Sequence, residues 1–225
     1  MSVELVGHRG CGHEHPENTV RAFVETARRL DAVEFDVRRC GSGEPVVVHD
    51  ERLDRIAGVD ARVDETPWPV VRELDVLGTD EPIPRLADVL DAVPAGTTLQ
   101  VELKTVGVAD DVAAALADAD RPARVTSFSP AALAAFAEAE GSEGVPTGLL
   151  FSGDPEANLS LAARLDCGNV HPHVDDCLRT GVVGAARDRG FGAYAWGAGS
   201  PADVDAAADA GVDGLTVDAA RWGDP

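Results

Sequence analysis

Short apolar runs alternate with Ala-rich amphipathic stretches along most of the chain. Eight runs read as strands: ELVGHR (4–9), AVEFDV (32–37), LQVELK (99–104), ARVTSF (123–128), GLLF (148–151), NVHPH (169–173), GAYAW (192–196) and DGLTVD (213–218). Between most of them lie helical patterns, among them TVRAFVETARRL (19–30), LADVLDAV (86–93), DDVAAALADA (110–119), PAALAAFAEAE (130–140), EANLSLAARL (156–165), GVVGAARDRG (181–190) and PADVDAAADAG (201–211). Alternation of this kind predicts a parallel sheet. Eight strand–helix units in 225 residues predict a closed (β/α)8 TIM barrel, a single α/β domain spanning 1–225.

One segment breaks the rhythm. EFDVRRCGSGEPVVVHD (34–50) holds two strand-like runs joined by a Gly/Ser turn. A parallel crossover needs about a dozen residues, so these runs must form an antiparallel hairpin after strand 2. Folding about Ser42–Gly43 sets Asp36 opposite His49. Residues 51–82 then read as a short proline-punctuated insertion, and a loop of that length is usually functional or a small inserted subunit.

Charge narrows the setting. The chain carries 40 Asp and Glu against 19 Lys and Arg, a formal charge of −21, with the acids scattered over its length. This reads as the solvated surface of a salt-adapted, halophilic protein, whose self-repulsion is screened in molar salt. It argues against nucleic acid and against stable membrane association. The N-terminus runs directly into a strand without a signal peptide, and no apolar run reaches the ~18 residues of a spanning helix. Cys11, Cys40, Cys167 and Cys177 lack paired CxxC spacing and read as free thiols, so a cytoplasmic location is expected. Homo-oligomerisation is left open.

The chemistry-bearing residues gather at strand C-termini, the face that carries TIM-barrel active sites. Glu34 with Asp36, and Glu102 with Lys104, are i, i+2 pairs, each pointing one way. Either pair alone reads as an ordinary salt bridge. Together, three carboxylates at one rim stay ionised only near a cation, and oxygen ligands suit Mg²⁺ or Ca²⁺. His8 and His49 flank them and suit acid–base work near neutral pH. Arg9 and Lys104 add the positive charge that a phosphate ester needs. Lys104 is the chain's only lysine. His13 and His15 read as incidental.

These residues fall in a known order. HRG (8–10), PENT (16–19), EFDV (34–37), VVVHD (46–50), ELK (102–104), SF (127–128) and GVDGLTVD (211–218) together resemble the glycerophosphodiester phosphodiesterases over essentially the whole chain. The resemblance implies a TIM barrel with a hairpin or small insertion after strand 2. It implies metal-dependent hydrolysis of a small glycerophosphodiester to sn-glycerol 3-phosphate and an alcohol. Glu34, Asp36 and Glu102 would be metal ligands, His8 and His49 the general acid/base pair, and Arg9 and Lys104 the phosphate holders. Glu17 would support the site or else cap a helix with Asn18 and Thr19. Phe128 and Trp196 would cover the glycerol or simply pack the barrel top. Asp218 would anchor Arg9. Cys11 reads as a small packing residue, and HPH (171–173) as a wall or substrate contact rather than a metal site. YAWGAGS (194–200) departs from the family's W-T-V-N-like stretch.

The nucleophile, the glycerol 2-hydroxyl or water, stays open. One rival reading is a lysophospholipase D on the same barrel, with Trp68, Val70, Val71 and Leu74 offering an acyl groove. Another is a barrel that binds a phosphate or headgroup without catalysis, against which stand both histidines and all three carboxylates.

Overall fold

The computed structural model describes residues 3–223. Eight parallel strands close into a barrel: β1 (Glu4–Gly7), β2 (Ala32–Arg39), β4 (Thr98–Leu103), β5 (Ala123–Ser127), β6 (Thr147–Phe151), β7 (Asn169–Pro172), β8 (Gly192–Ala195) and β9 (Gly214–Val217). Closure comes from β1, which pairs with both β2 and β9. The extra strand β3 (Pro45–Val47) is antiparallel to the end of β2. The seven helices read from periodicity are α1 (Val20–Thr26), α4 (Leu86–Ala92), α5 (Ala109–Ala119), α6 (Pro130–Glu138), α7 (Pro155–Arg164), α9 (Val182–Asp188) and α10 (Pro201–Asp209). Several begin at a side-chain cap. Thr19, Ser129, Asp154 and Ser200 each accept a backbone N–H of the first turn, and Pro follows the last three. A further helix, α8 (Val174–Arg179), is only six residues long, too short to announce itself by periodicity.

Strand alternation divides the core. Val33, Phe35, Val37, Leu99, Val101, Leu103 and Val125 pack outward under α1, α4, α5 and α6, and Phe35 meets Phe23 of α1 at 5.4 Å between ring centroids. A second cluster does the same for the other half of the barrel. The opposite face of the strands is unusually polar: Glu34, Asp36, Gln100, Glu102, Arg124, Thr126, His171 and Thr216 are all buried.

The hairpin register differs from expectation by one residue. Val37 pairs with Val47, and Val48 N–H donates to Asp36 O (3.0 Å), so Val48 rather than His49 stands opposite Asp36. Cys40 N–H donates to Glu44 O (3.0 Å), leaving three residues in the turn, centred on Ser42. His49 therefore lies just past the strand.

The insertion is folded rather than loop-like. It contains α2 (Asp54–Ala57), α3 (Trp68–Val71) and two 3-10 turns. Leu53, Ile56, Val63, Val71, Val76 and Ile83 form its own small core with Cys40, Val46 and Val48 of the hairpin, and Trp68 and Leu74 pack against it. Of the four residues expected to offer an acyl groove, only Val70 is exposed, at 48%, while Val71 is buried and Trp68 and Leu74 are partly so. Among the described residues no helix is long and apolar enough to cross a membrane, and the four cysteines are free and buried.

Inside the barrel, His171 stacks on Tyr194 (5.3 Å between centroids), and the Arg124 guanidinium lies 4.1 Å from the centroid of Tyr194 while pairing with Glu4. Gly148 makes room for the imidazole: a Cβ there would lie 2.5 Å from His171 Nε2. Gly148→Ala is expected to cost about 1–3 kcal/mol by overpacking, read as a lower urea midpoint. Burial first, then Arg124, pushes the His171 pKa down from 6.5 to about 3. The unfolded chain binds that proton and the folded one does not. Stability is therefore complete above pH 6.5 and falls as pH drops towards 3. Urea unfolding of the wild type is expected to lose about 2–3 kcal/mol between pH 6.5 and 4.5 from this group, and His171→Leu to lose that part of the slope. Equal slopes in the two proteins would refute the assignment.

Candidate active site

The site starts from a strained turn. After β1 ends at Gly7, His8–Gly10 form a 3-10 turn in which Arg9 (φ 49°), Gly10 (φ 75°) and Cys11 (φ 61°) are all left-handed. A side chain at Gly10 would also press within 2.6 Å of Ala22 Cβ on α1, so this position requires glycine. Such backbone costs on the order of 1–3 kcal/mol per non-Gly residue and persists where its surroundings over-determine it. Here the turn aims Arg9 N–H at Glu34 Oε2 (2.9 Å). It also brings the Arg9 side chain to Glu17 Oε1 (3.0 Å) and Asp36 Oδ2 (3.3 Å).

Glu34, Asp36 and Glu102 converge as expected. All are buried, and they offer oxygens within 4.8 Å of one another. Lys104 Nζ lies 2.6 Å from Glu102 Oε1 and 3.3 Å from Asp36 Oδ1. Burial drives all three carboxyls toward protonation, and the charges decide between them. Glu34 is pushed up to about 8 by burial and then by Asp36. Glu102 is raised by burial and Asp36. Asp36 resists its burial because Lys104 and Arg9 flank it, and falls to about 2. Two cations thus hold one of three acids ionised. Asp36 Oδ1 is buried and makes no hydrogen bond; only the Lys104 ammonium, 3.3 Å away, answers its charge. An all-oxygen donor set with this unsatisfied carboxylate capacity fits a divalent cation.

Each histidine is fixed by its own carboxylate. His8 Nδ1 lies 2.7 Å from Asp218 Oδ1, and His49 Nδ1 2.7 Å from Asp50 Oδ1. Asp218 therefore anchors His8 rather than Arg9, as its 2.7 Å contact shows; Glu17 and Asp36 hold Arg9. An anion on Nδ1 keeps the proton there and presents Nε2 to a substrate. The two rings are tuned apart. For His8 burial lowers the pKa, but the Asp218 hydrogen bond and the Glu34 charge outweigh it and the net shift is upward. For His49 burial dominates, Lys104 assists against the pull of Asp36, and the net shift is downward.

A cleft of about 190 Å³ joins these groups, lined by His8, Arg9, Glu34, His49, Glu102 and Lys104 together with Phe128, Trp196, Gly197 and Ala198. Phe128 is 47% exposed and stands edge-on to Trp196 at 5.2 Å. Trp196 is locked by its Nε1–H donating to Phe151 O (3.1 Å) and by the His173 ring at 4.7 Å. The HPH pair thus splits: His171 fills the barrel interior and His173 braces Trp196. The stretch after Trp196 lends the cleft only small residues. His13 packs edge-on to Trp222 (5.8 Å), and neither it nor His15 lines the cleft.

Two site residues escaped the sequence reading. Asn18 does not cap α1, since Thr19 alone does so. Instead its Nδ2 donates to Asp36 Oδ2 (2.9 Å) and its Oδ1 accepts from Asp36 N–H (3.3 Å). Its φ of 57° in PENT was the available signal, visible only in the fold. Asp50, by contrast, sits directly after His49 and could have been paired with it from VVVHD alone.

Comparison with known proteins bears on this arrangement. A sequence model of the Glycerophosphoryl diester phosphodiesterase family matches residues 8–221. A glycerophosphodiester phosphodiesterase of Caldanaerobacter subterraneus is 26% identical over 233 residues, covering 97% of this chain and 95% of that protein. The solved structure of an Oleispira antarctica phosphodiesterase in complex with the product sn-glycerol-3-phosphate is similar with a TM-score of 0.84 and 26% identity, covering 96% of this chain and 92% of that one. A human lysophospholipase D is 31% identical over 112 residues, 44% of this chain and 35% of that protein. The chain spans less than half the length of several curated relatives that it matches.

If the carboxylate cluster holds a divalent ion, its binding is expected to depend on pH. Because Glu34 must lose a proton held up to about pH 8, ion binding releases it. Apparent affinity for MgCl2 or CaCl2 is therefore expected to rise with pH between 6 and 8, by up to about tenfold per unit. A titration followed by melting temperature should show an upward shift, about 2.7 kcal/mol at a hundredfold excess over Kd. Glu34→Gln and Glu102→Gln should weaken it. Affinity independent of pH over that range would contradict the charge assignment.

Proposed function

This chain belongs to the glycerophosphoryl diester phosphodiesterase family, and from that premise we propose that it hydrolyses glycerophosphodiesters to sn-glycerol 3-phosphate and an alcohol by two-histidine acid/base catalysis. The observation that carries the reading is two carboxylate-anchored histidines, tuned in opposite directions, lining one cleft beside three converging carboxylates.

Glu34, Asp36 and Glu102 would hold the divalent ion, Mg²⁺ or Ca²⁺. When bound, such an ion supplies positive charge that polarises a phosphoryl oxygen and eases deprotonation of a nearby hydroxyl. His49, with its lowered pKa, is free at Nε2 near neutral pH and takes the proton of the nucleophile, the glycerol 2-hydroxyl or water. His8, with its raised pKa, gives a proton to the departing alcohol oxygen as the P–O bond breaks. Groups pushed apart in this way fit the roles of base and acid. Arg9 and Lys104 face the same cleft and hold the phosphate oxygens. Glu17 positions Arg9. Phe128 and Trp196 cover the apolar side of the glycerol.

Lys104 suits its place because an ammonium is compact. It meets two carboxylates from a narrow position between β2 and β4, where a planar guanidinium would demand a different geometry. Nothing from 51–82 lines the cleft among the described residues, and the insertion's apolar side chains pack on each other. This favours a short glycerophosphodiester over the acylated substrate of the lysophospholipase D reading. The acid-rich, lysine-poor composition favours a salt-rich setting, and the free buried cysteines a reducing, cytoplasmic one.

The test is release of sn-glycerol 3-phosphate from glycerophosphocholine in molar KCl, with Mg²⁺ or Ca²⁺ and with chelator. Turnover is expected only with metal, and faster than on lysophosphatidylcholine; a preference for the acylated lipid would move the protein to the rival activity. His8→Ala and His49→Ala should each lower kcat about 10²–10⁴-fold with the melting temperature preserved. Near-normal turnover in either would refute its role. Lys104→Arg should lower kcat/KM by about tenfold or more, the loss of roughly one good transition-state contact. No hydrolysis with either ion, alongside retained phosphate binding, would support the non-catalytic reading.

A further inference from the structure

We propose that Arg55, on the first helix of the insertion, is a positioning residue that locks the His49 arm and the Arg9 arm of the site into one geometry. The inference rests on His49 being a catalytic group in the reading above.

The two arms reach the cleft independently. Arg9 comes from the turn after β1, supported by Glu17 in the loop before α1. His49 comes from the end of the hairpin, supported by its neighbour Asp50. One guanidinium joins them. Arg55 Nε donates to Asp50 Oδ2 (2.5 Å), while Nη1 and Nη2 donate to the two oxygens of Glu17 (2.9 and 2.8 Å). Each acid is already engaged on the cleft side: Asp50 Oδ1 on His49 Nδ1 (2.7 Å), and Glu17 Oε1 on Arg9 Nη1 (3.0 Å). The result is a continuous relay, His49–Asp50–Arg55–Glu17–Arg9, ending on the metal-facing Asp36 through Arg9 Nε (3.3 Å).

The chemistry of the linker matters. A planar fork spans both carboxylates with three N–H groups at fixed angles, so it sets their separation as well as their charge. Burial pushes both acids up, and Arg55 is the leading partner that pulls each back below its ordinary value while fixing its orientation. An anionic Asp50 is what fixes the His49 tautomer. Arg55 itself is held by the α2 turn, where Ile56 anchors the insertion core. The insertion thus acts as a brace across the rim rather than as a substrate groove. Simple stabilisation is a poor explanation, because Arg55 is exposed and exposed ion pairs contribute little to folding.

The test uses Arg55→Met and Arg55→Lys in the full chain with glycerophosphocholine and metal. Both are expected to keep the melting temperature within a few degrees while kcat falls about 10–100-fold, the range typical of ångström-scale misplacement. Lys should rescue little, since it reaches one carboxylate at a time. The double variant Asp50→Asn/Arg55→Met should lose clearly less than the product of the two single losses, because the part of the Arg55 effect that passes through Asp50 to His49 is already gone in Asp50→Asn and only the part through Glu17 and Arg9 remains. A readout free of turnover is the ¹⁵N spectrum of the histidine rings. Wild-type His49 should show a single Nδ1-protonated tautomer, and Arg55→Met should move it toward tautomer-averaged values while His8, held by Asp218, stays unchanged. If the wild type proves inactive on every glycerophosphodiester, the functional reading fails and the ring spectrum still decides the bracing role. Unmoved His49 signals overturn the proposal, as do additive losses in the double variant or a kcat within twofold of an active wild type. Should Arg55→Met fail to fold, Arg55→Lys carries the same comparisons.

Discussion

Three carboxylates share one buried space at the mouth of this barrel, and most of the surrounding structure answers that constraint. Left alone, Glu34, Asp36 and Glu102 would take up protons, and two of them are indeed driven that way. Asp36 is the exception because Lys104, Arg9 and Asn18 converge on it. The strained HRG turn follows from the same need: it brings a backbone N–H to Glu34 and a guanidinium to Asp36 from a single residue. Left-handed backbone at Arg9 and Asn18 is unfavourable locally. It is held in place because each residue relieves a carboxylate that would otherwise be worse off.

The same logic explains why the fold was legible in sequence and parts of the site were not. All eight barrel strands and the seven longer helices leave periodic traces, because each buries an apolar face against its neighbour. The outward Val33, Phe35 and Val37 and the inward Glu34 and Asp36 interleave in five residues, so EFDV carries both fold and site. Register is weaker information. A hairpin turn of three residues instead of two moves His49 one place relative to Asp36, and CGSG permits either. The insertion could be read only as a functional loop or a small inserted subunit, because α2 and α3 are single turns, below the length at which periodicity shows. Its core consists of contacts with the hairpin that no local pattern encodes.

Long-range pairing was the least readable. Asp218 could have served Arg9 or His8 on sequence grounds, and only the closed barrel, with β1 beside β9, brings it to His8 Nδ1. Arg55 meets Glu17 across 38 residues, and nothing near either position distinguishes that pair from the many exposed Arg–carboxylate pairs of the insertion. Asp50 is different: adjacency to His49 made it readable, because a loop residue next to a histidine has few other ways to reach its ring.

The lone lysine joins these threads. In a chain that uses arginine everywhere else, Lys104 occupies the one cation position squeezed between two barrel carboxylates. Salt screening bears on the exposed charges of the acid-rich surface far more than on this pair, because partly buried charges in close contact are screened much less. Arg55 stands between the two regimes: it is exposed, yet it is held by three directed hydrogen bonds rather than by charge at a distance. Short, shaped contacts of this kind are less sensitive to screening than charge acting at a distance. Lys104 is held by burial between Asp36 and Glu102, Arg55 by directed bonds to Asp50 and Glu17, and the two cations are not interchangeable although their acids border one site.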